Sequence, residues 1–277
     1  RVKKVDFAKA LKMPGVRAVL TAFSPGADVP WYRSRGRFYS KLFDERVRHE
    51  GDEVAAVAAE TRAQAFDALK AIRVEYEEFA FVLDPREALA PDAPLVHDGG
   101  NRYGEPARYE RGDLAAGFAA ADVVVEGTYS TACEIHAPME VHGSVAKWDG
   151  NRLTVWDSTQ GVFVVQQTVA AALKLPLANV RVIGHYMGGG FGSKLEAGKY
   201  TVIAALLAKR TARPVKLFLT REEVFLNAGN RPANTMKVKI GAKKDGTLTA
   251  IEFSSIGSGG AYPNGADTSF LATDLYT

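Results

Sequence analysis

The spacing of apolar and polar residues divides the chain into short strands and helices that alternate along much of its length. Glu53 to Ala59 is a nearly unbroken apolar run of strand length. Thr61-Arg62-Ala63-Gln64 follows it as a capping box, in which hydroxyl and amide each satisfy an orphan backbone N–H at a helix start. Phe66, Leu69 and Ile72 then recur at helical spacing, and Arg73-Val74-Glu75-Tyr76 alternates as a strand does. A strand–helix–strand unit is expected near residues 53–78. From Asp84 to Gly104 the composition turns to Pro, Ala, Asp and Gly, which predicts an irregular connection.

A second series begins near Asp113. Val123 to Glu126 and Gly143 to Ala146 are strand candidates. Trp148-Asp149-Gly150-Asn151 is a hairpin turn, answered by Leu153 to Trp156 as the return strand. Ser158 or Thr159 is placed to cap a helix through Val165, Val169 and Leu173 that ends at Pro176. Val180 to Ile183 forms a strand, then comes a glycine loop and a helix over about Leu195 to Lys209. Val215 to Leu219 is another strand, and Met236 to Ile240 and Leu248 to Phe253 flank a second hairpin turn at Lys244-Asp245-Gly246. The fold class is α+β, and the 277 residues suit two domains better than one.

Composition narrows the function. The chain is 47% hydrophobic and 24% charged with a formal net charge of +3, too little to argue for nucleic acid. Its most basic stretch, Arg33 to Arg48, is interrupted by Asp44 and Glu45 and is expected to be a solvated loop. One cysteine, Cys133, leaves no disulfide framework and cannot hold an iron–sulfur cluster, which takes about four such ligands. The longest apolar stretches, such as Thr201 to Ala208, fall well below the roughly 20 residues of a membrane span. No signal-peptide pattern follows Arg1, so a cytoplasmic protein is expected. The two ends predict a fragment or one piece of a split subunit.

Gly188-Gly189-Gly190-Phe191-Gly192-Ser193-Lys194 is the densest chemical signal. Strand, glycine loop and helix in succession aim backbone N–H groups at an anion, and Lys194 would add a cation at the mouth. The spacing is neither that of a Walker A loop, because Ser193 separates Gly192 from Lys194, nor G-x-G-x-x-G. An aromatic residue inside the loop suits a wall beside a reacting centre. A tight turn with glycines only for close packing stays open, as do a nucleotide- or phosphate-binding protein and a non-catalytic scaffold piece.

The loop, with Val180 to Met187 before it, resembles the GGGFGGK segment of the xanthine dehydrogenase/aldehyde oxidase family of molybdenum hydroxylases. Further stretches are similar in the family's order: Val47 to Glu60 with the helix after it, His136-Ala137-Pro138-Met139-Glu140, Ser158-Thr159-Gln160, Thr220-Arg221-Glu222-Glu223 and Arg231-Pro232. The resemblance implies a hammerhead-like α+β domain over 1–95, a linker over 96–112, and the first part of a molybdopterin-binding domain over 113–277.

What else follows is implied by that resemblance. The cofactor is molybdenum–molybdopterin, plain or in its cytosine dinucleotide form, contacted by Gly190, Phe191, Gly192 and Glu134. Glu134 stands where many relatives are expected to carry a glutamine. Phe191, Lys194 and Leu195 would line the substrate pocket. Leu195 occupies the place of a glutamate in purine-oxidising relatives, with Glu196 one helical step further on, so the expected substrate is an aldehyde or an aromatic N-heterocycle. The catalytic base is a glutamate near a G-x-G-E motif that these 277 residues do not contain, so no catalytic residue and no direct metal ligand is assigned here. His136 and His142 are expected to be structural, and Cys133 a small packed residue. The partners implied are the rest of the molybdenum subunit, an Fe–S subunit and an FAD subunit, with no nucleic acid and no membrane.

Overall fold

The structure is a computed structural model and describes residues 1–34 and 36–262. Arg35 in the basic stretch and positions 263–277 of the expected second domain lie outside the described residues. In chain order the elements are β1 (Val2–Asp6), α1 (Ala8–Leu11), β2 (Val16–Thr21), β3 (Pro30–Ser34), β4 (Arg37–Lys41), β5 (Ala55–Ala59), α2 (Arg62–Ala71), β6 (Arg73–Tyr76), α3 (Leu114–Ala119) and β7 (Val123–Thr131). There follow β8 (Gly143–Asp149), β9 (Arg152–Asp157), α4 (Val162–Leu173), β10 (Val180–Ile183), α5 (Lys199–Thr211), β11 (Val215–Phe218), α6 (Arg221–Asn227), β12 (Asn234–Ala242) and β13 (Leu248–Gly257). The architecture is α+β, with two compact units that each draw on separate stretches of chain.

The first unit comprises residues 1–79 and 135–230. Its largest sheet has the order β10-β9-β8-β11. β8 and β9 are the expected hairpin, with Asp149 opposite Arg152 and Gly150 at φ 57° in the turn. β9 and β10 run parallel, which requires a crossover, and α4 supplies it. The expected strand–helix–strand unit appears as β5, α2 and β6, but its two strands pair elsewhere: β5 with β2 and β6 with β1. Residues 1–52, where the apolar pattern sets no elements, provide those partners. The capping box of α2 forms as expected, with Thr61 and Gln64 bonded reciprocally.

One core joins these parts. Leu20, Leu42 and Phe43 lie in the same buried cluster as Leu153, Val155, Val165, Val169, Val202 and Leu207. Side chains of this kind contribute about 1.5–3 kcal/mol each on full burial. α5 is buried along almost its whole length because β8 and β11 pack on it together with β2 and β5. Its first residue, Lys199, is buried too, and its ammonium is bonded to Glu53 Oε2 at 2.7 Å.

Two helix starts differ from expectation. α4 begins after Gly161, not at a Ser158 or Thr159 cap, and ends at Lys174 in the left-handed region before Pro176 is reached. Ser158 and Thr159 are buried, and their hydroxyls are spent on other partners. α5 begins at Lys199 behind an uncapped Gly198, four residues later than expected. The backbone of Lys194 is held instead by Thr159 and Gln160, which keeps residues 195–198 out of the helix.

The second unit comprises residues 80–134 and the described part of 231–277. It is a three-stranded antiparallel sheet, β13-β12-β7, with α3 packed on β13 and β12. Asp113 caps α3 by accepting from the Ala116 N–H at 2.9 Å. Gly246, at φ 91°, turns β12 into β13 as the sequence predicts. Among the described residues no helix is long and apolar enough to cross a membrane.

Candidate functional site

The glycine loop leaves β10 and returns towards α5, and its shape is set by groups reaching it from elsewhere in the first unit. Phe191 has φ 53°. A side chain in that left-handed region costs about 1–2 kcal/mol. The residue is 70% exposed, so burial returns little of that cost. Ala137 has φ 40° directly before Pro138, where an extended backbone is preferred. Strained residues persist only where their surroundings over-determine them, and they concentrate at working sites.

Gln160 is one such constraint. Its Oε1 accepts from the Gly192 N–H at 2.9 Å and the Lys194 N–H at 3.3 Å. Gly190 has no side chain for a spatial reason: a Cβ there would lie 2.3 Å from Gln160 Oε1. The amide nitrogen of Gln160 has no partner among the described residues and is left to donate outward.

Glu140 is the second constraint. Its backbone N–H donates to Gly188 O at 3.1 Å, and its Oε2 accepts from the Gly188 N–H at 2.8 Å. The same oxygen accepts from Ser158 Oγ at 2.5 Å and Lys194 Nζ at 3.1 Å. Lys194 has no exposed surface. Its other two protons go to Glu140 O at 2.9 Å and Ser158 Oγ at 2.7 Å. An ammonium has three donors, and all three are committed inside the protein. The expected cation at the mouth of an anion cradle is therefore not what the chain builds. The loop N–H groups of Gly188, Gly192 and Lys194 are likewise answered by internal oxygens, and the helix N-terminus begins only at residue 199.

Burial governs the titrating groups behind the loop. It pushes His142 down to about 4, helped by the charge of Lys194, so the ring is neutral at ordinary pH. Ser193 Oγ donates to Gly190 O at 2.7 Å, which leaves His142 Nε2 as donor in its 3.0 Å contact with that hydroxyl. His142 Nδ1 and His136 Nδ1 are buried without hydrogen-bond partners. Burial raises Asp157 despite hydrogen bonds from Ser144 and Thr201, both at 2.8 Å. Glu140 is pushed up by burial but ends below its usual value, because Ser158, Gly188 and Lys194 all donate to it.

The structure brings Gly190, Phe191, Gly192, Lys194 and Leu195 together on this loop and its end. Leu195 is exposed. Glu196 is exposed in a bend before the helix and not on it, so the one-step helical displacement expected for it does not apply. Glu134 belongs to the second unit, where its backbone forms a bridge with Arg231. Glu140, Gln160 and His142 carry much of the geometry, yet sequence reasoning assigned no loop-holding role to any of them. The available signal was the polar run Ser158-Thr159-Gln160 at the end of a buried strand. Cys133 is exposed and not packed as expected.

Met139 (92% exposed) precedes Glu140, which pairs with Gly188, and Tyr186 (93% exposed) precedes the loop in sequence. Two concavities of about 260 and 300 Å³ are lined by other residues, among them Arg17, Glu60 and Arg213 in one and Trp148 and Lys209 in the other. Phe191, Met139 and Tyr186 are thus each exposed in this part of the chain. Among the described residues no group of three or more His, Cys, Asp or Glu is placed to hold a metal ion.

Two family descriptions match the chain. Residues 1–80 match "Aldehyde oxidase and xanthine dehydrogenase, a/b hammerhead domain", and residues 96–274 match "Molybdopterin cofactor-binding domain". The nicotinate dehydrogenase large molybdopterin subunit of Eubacterium barkeri is 37% identical over 95% of this chain and 61% of its own length. The aldehyde oxidoreductase molybdenum-binding subunit PaoC of Escherichia coli K12 is 35% identical over 92% of this chain and 34% of its own length. Among solved structures, quinoline 2-oxidoreductase from Pseudomonas putida 86 superposes with a TM-score of 0.82 at 30% identity, covering 95% of this chain and 34% of that one. The aldehyde oxidoreductase of Desulfovibrio gigas gives 0.83 at 30% identity, covering 92% and 29%. The chain therefore spans between about a third and three-fifths of the curated relatives it matches.

Proposed function

The chain belongs to the xanthine dehydrogenase/aldehyde oxidase family of molybdenum hydroxylases, and from that premise we propose that it is the N-terminal part of a catalytic molybdenum subunit oxidising an aldehyde or an aromatic N-heterocycle. The observation that carries the proposal is Phe191, held left-handed and exposed on a loop tied from behind at Gly188, Gly192 and Lys194. Such strain without burial is consistent with a surface built to meet something else.

The residues fit a molybdenum–molybdopterin group. The backbone at Gly190 and Gly192 carries no side chain, the Gln160 amide nitrogen is free to donate, and Phe191, Met139 and Tyr186 offer apolar surface that would exclude water. Gly190, Phe191 and Gly192 would contact the group. Phe191 and Leu195 would face substrate, while Lys194 shapes the same wall from behind. Glu134 is assigned as a cofactor contact on the resemblance alone. The group, when bound, supplies the two-electron oxidation of the substrate carbon. No residue of these 277 is assigned as the general base.

Domain limits of 1–95 and 113–277 around a 96–112 linker belong to the same proposal. So do the cytosine dinucleotide form of the cofactor, electron transfer to Fe–S and FAD partner subunits, and cytoplasmic residence. Relatives named for nicotinate, quinoline and aldehydes support the substrate class. The nucleotide-binding alternative loses support, since Lys194 Nζ and the N–H groups of Gly188, Gly192, Ser193 and Lys194 already have internal partners.

The test is metal and pterin analysis of the natively assembled complex, with Phe191→Ala beside wild type. Molybdenum near one per complex is expected in both. Turnover per molybdenum should fall by on the order of 10- to 100-fold in the variant. Loss of assembly and turnover in equal measure would remove Phe191 from the site.

A further inference from the structure

We propose that Glu140, Ser158 and Lys194 form a brace behind the loop that sets the conformation of Phe191, making them positioning residues for the reaction although none offers a group to substrate. The proposal rests on the reading above that the loop borders the molybdenum cofactor.

The loop is held at its ends. Gly188 and Lys194 are its two ends, and a single carboxylate oxygen, Glu140 Oε2, accepts from both, at 2.8 and 3.1 Å. Ser158, one residue beyond β9, adds a third donor to that oxygen and accepts from the ammonium. The ends are thereby tied to each other and to the four-stranded sheet. Gly188 lies so close that a Cβ on it would fall 2.6 Å from Glu140 Cβ. Between the tied ends, Ser193 N–H donates to Gly190 O at 2.9 Å, closing a turn around Phe191. A left-handed phenylalanine in a turn pinned at both ends has few other conformations to visit.

The burial of Lys194 makes the device charge-dependent. A buried ammonium is tolerated only with an opposite charge and full hydrogen bonding, and Glu140 supplies the charge. Removing the carboxylate leaves an uncompensated cation under the loop. Removing the ammonium releases the loop's end but leaves Glu140, which is part-exposed, able to meet water. Ser158→Ala breaks two hydrogen bonds, to Glu140 and from Lys194, and changes no charge. The three substitutions therefore load the same brace in graded ways.

The experiment uses the assembled complex with Glu140→Gln, Lys194→Met and Ser158→Ala. Amide hydrogen exchange over residues 188–194 reads the brace whether or not molybdenum is bound. Exchange should accelerate at least about tenfold in Lys194→Met and less in Ser158→Ala, with the β12–β13 amides unchanged. Turnover per bound molybdenum should fall about tenfold or more in Lys194→Met and Glu140→Gln, with KM within about twofold and an altered Mo(V) paramagnetic resonance signal. If Glu140→Gln fails to fold, Ser158→Ala carries the test, with a loss of about threefold expected. Unchanged exchange in Lys194→Met overturns the brace. So does faster exchange with full turnover per molybdenum and an unaltered Mo(V) signal. Faster exchange in a complex whose wild type carries no molybdenum upholds the brace and removes the functional reading instead.

Discussion

Gly190→Ala isolates a steric requirement from a conformational one. Gly190 does not have a positive φ, so its backbone would accept alanine. The obstacle is Gln160, whose Oε1, Cδ and Cγ would lie 2.3, 2.6 and 2.7 Å from the new Cβ. The side chain of Gln160 is exposed and can swing away, but doing so releases the N–H groups of Gly192 and Lys194. Gly192 is exposed and water can replace its acceptor, at a net cost of about 1 kcal/mol. Lys194 is buried, and an unsatisfied buried donor costs about 1–3 kcal/mol. Gly190→Ala should therefore destabilise the first unit by about 2–4 kcal/mol in total. Urea unfolding followed by tryptophan fluorescence measures this, since Trp31, Trp148 and Trp156 all lie in that unit. Gln160→Ala removes the acceptor of the same two N–H groups without any clash, so the double variant should lose little more than Gln160→Ala alone. Additive losses would show that Gln160 is not what excludes a side chain at residue 190.

Two further outcomes are expected. His142 sits at about 4 when folded, against an ordinary value near 6.5. Between those values the unfolded chain binds a proton that the folded chain does not, so stability present above pH 6.5 is lost as pH falls towards 4. The loss amounts to about 3 kcal/mol and should be much reduced in His142→Gln, with urea unfolding at pH 7, 5.5 and 4.5 as the measurement; an unchanged pH slope in that variant would assign the effect to another group. Thr61→Ala removes the hydroxyl half of the α2 capping box and should cost about 1 kcal/mol, read as a drop in unfolding midpoint at unchanged slope.

What the sequence revealed, and what it did not, follows from the distance over which each feature is decided. The α2 cap is settled between Thr61 and Gln64, and the Asp149–Arg152 turn within four residues, so both are visible in a short window. The partners of β5 and β6 lie near the chain's start, where no apolar alternation announces them, and only tertiary packing selects them. The site belongs to this second kind. Gln160 reaches Gly192 across 32 residues and Glu140 reaches Lys194 across 54, and neither side chain looks unusual in its own stretch. The two misplaced helix starts have the same origin. Ser158 and Thr159 have the composition of a helix cap, but Lys194 draws on both, one for its ammonium and one for its carbonyl. Local preference is overruled most clearly at the residues that hold Phe191 in place, which is where a chain shaped for a task is expected to depart from its own propensities. The glycine loop was legible as a special turn. That its lysine is buried and fully bonded behind the loop, and not a cation at its mouth, needed the fold.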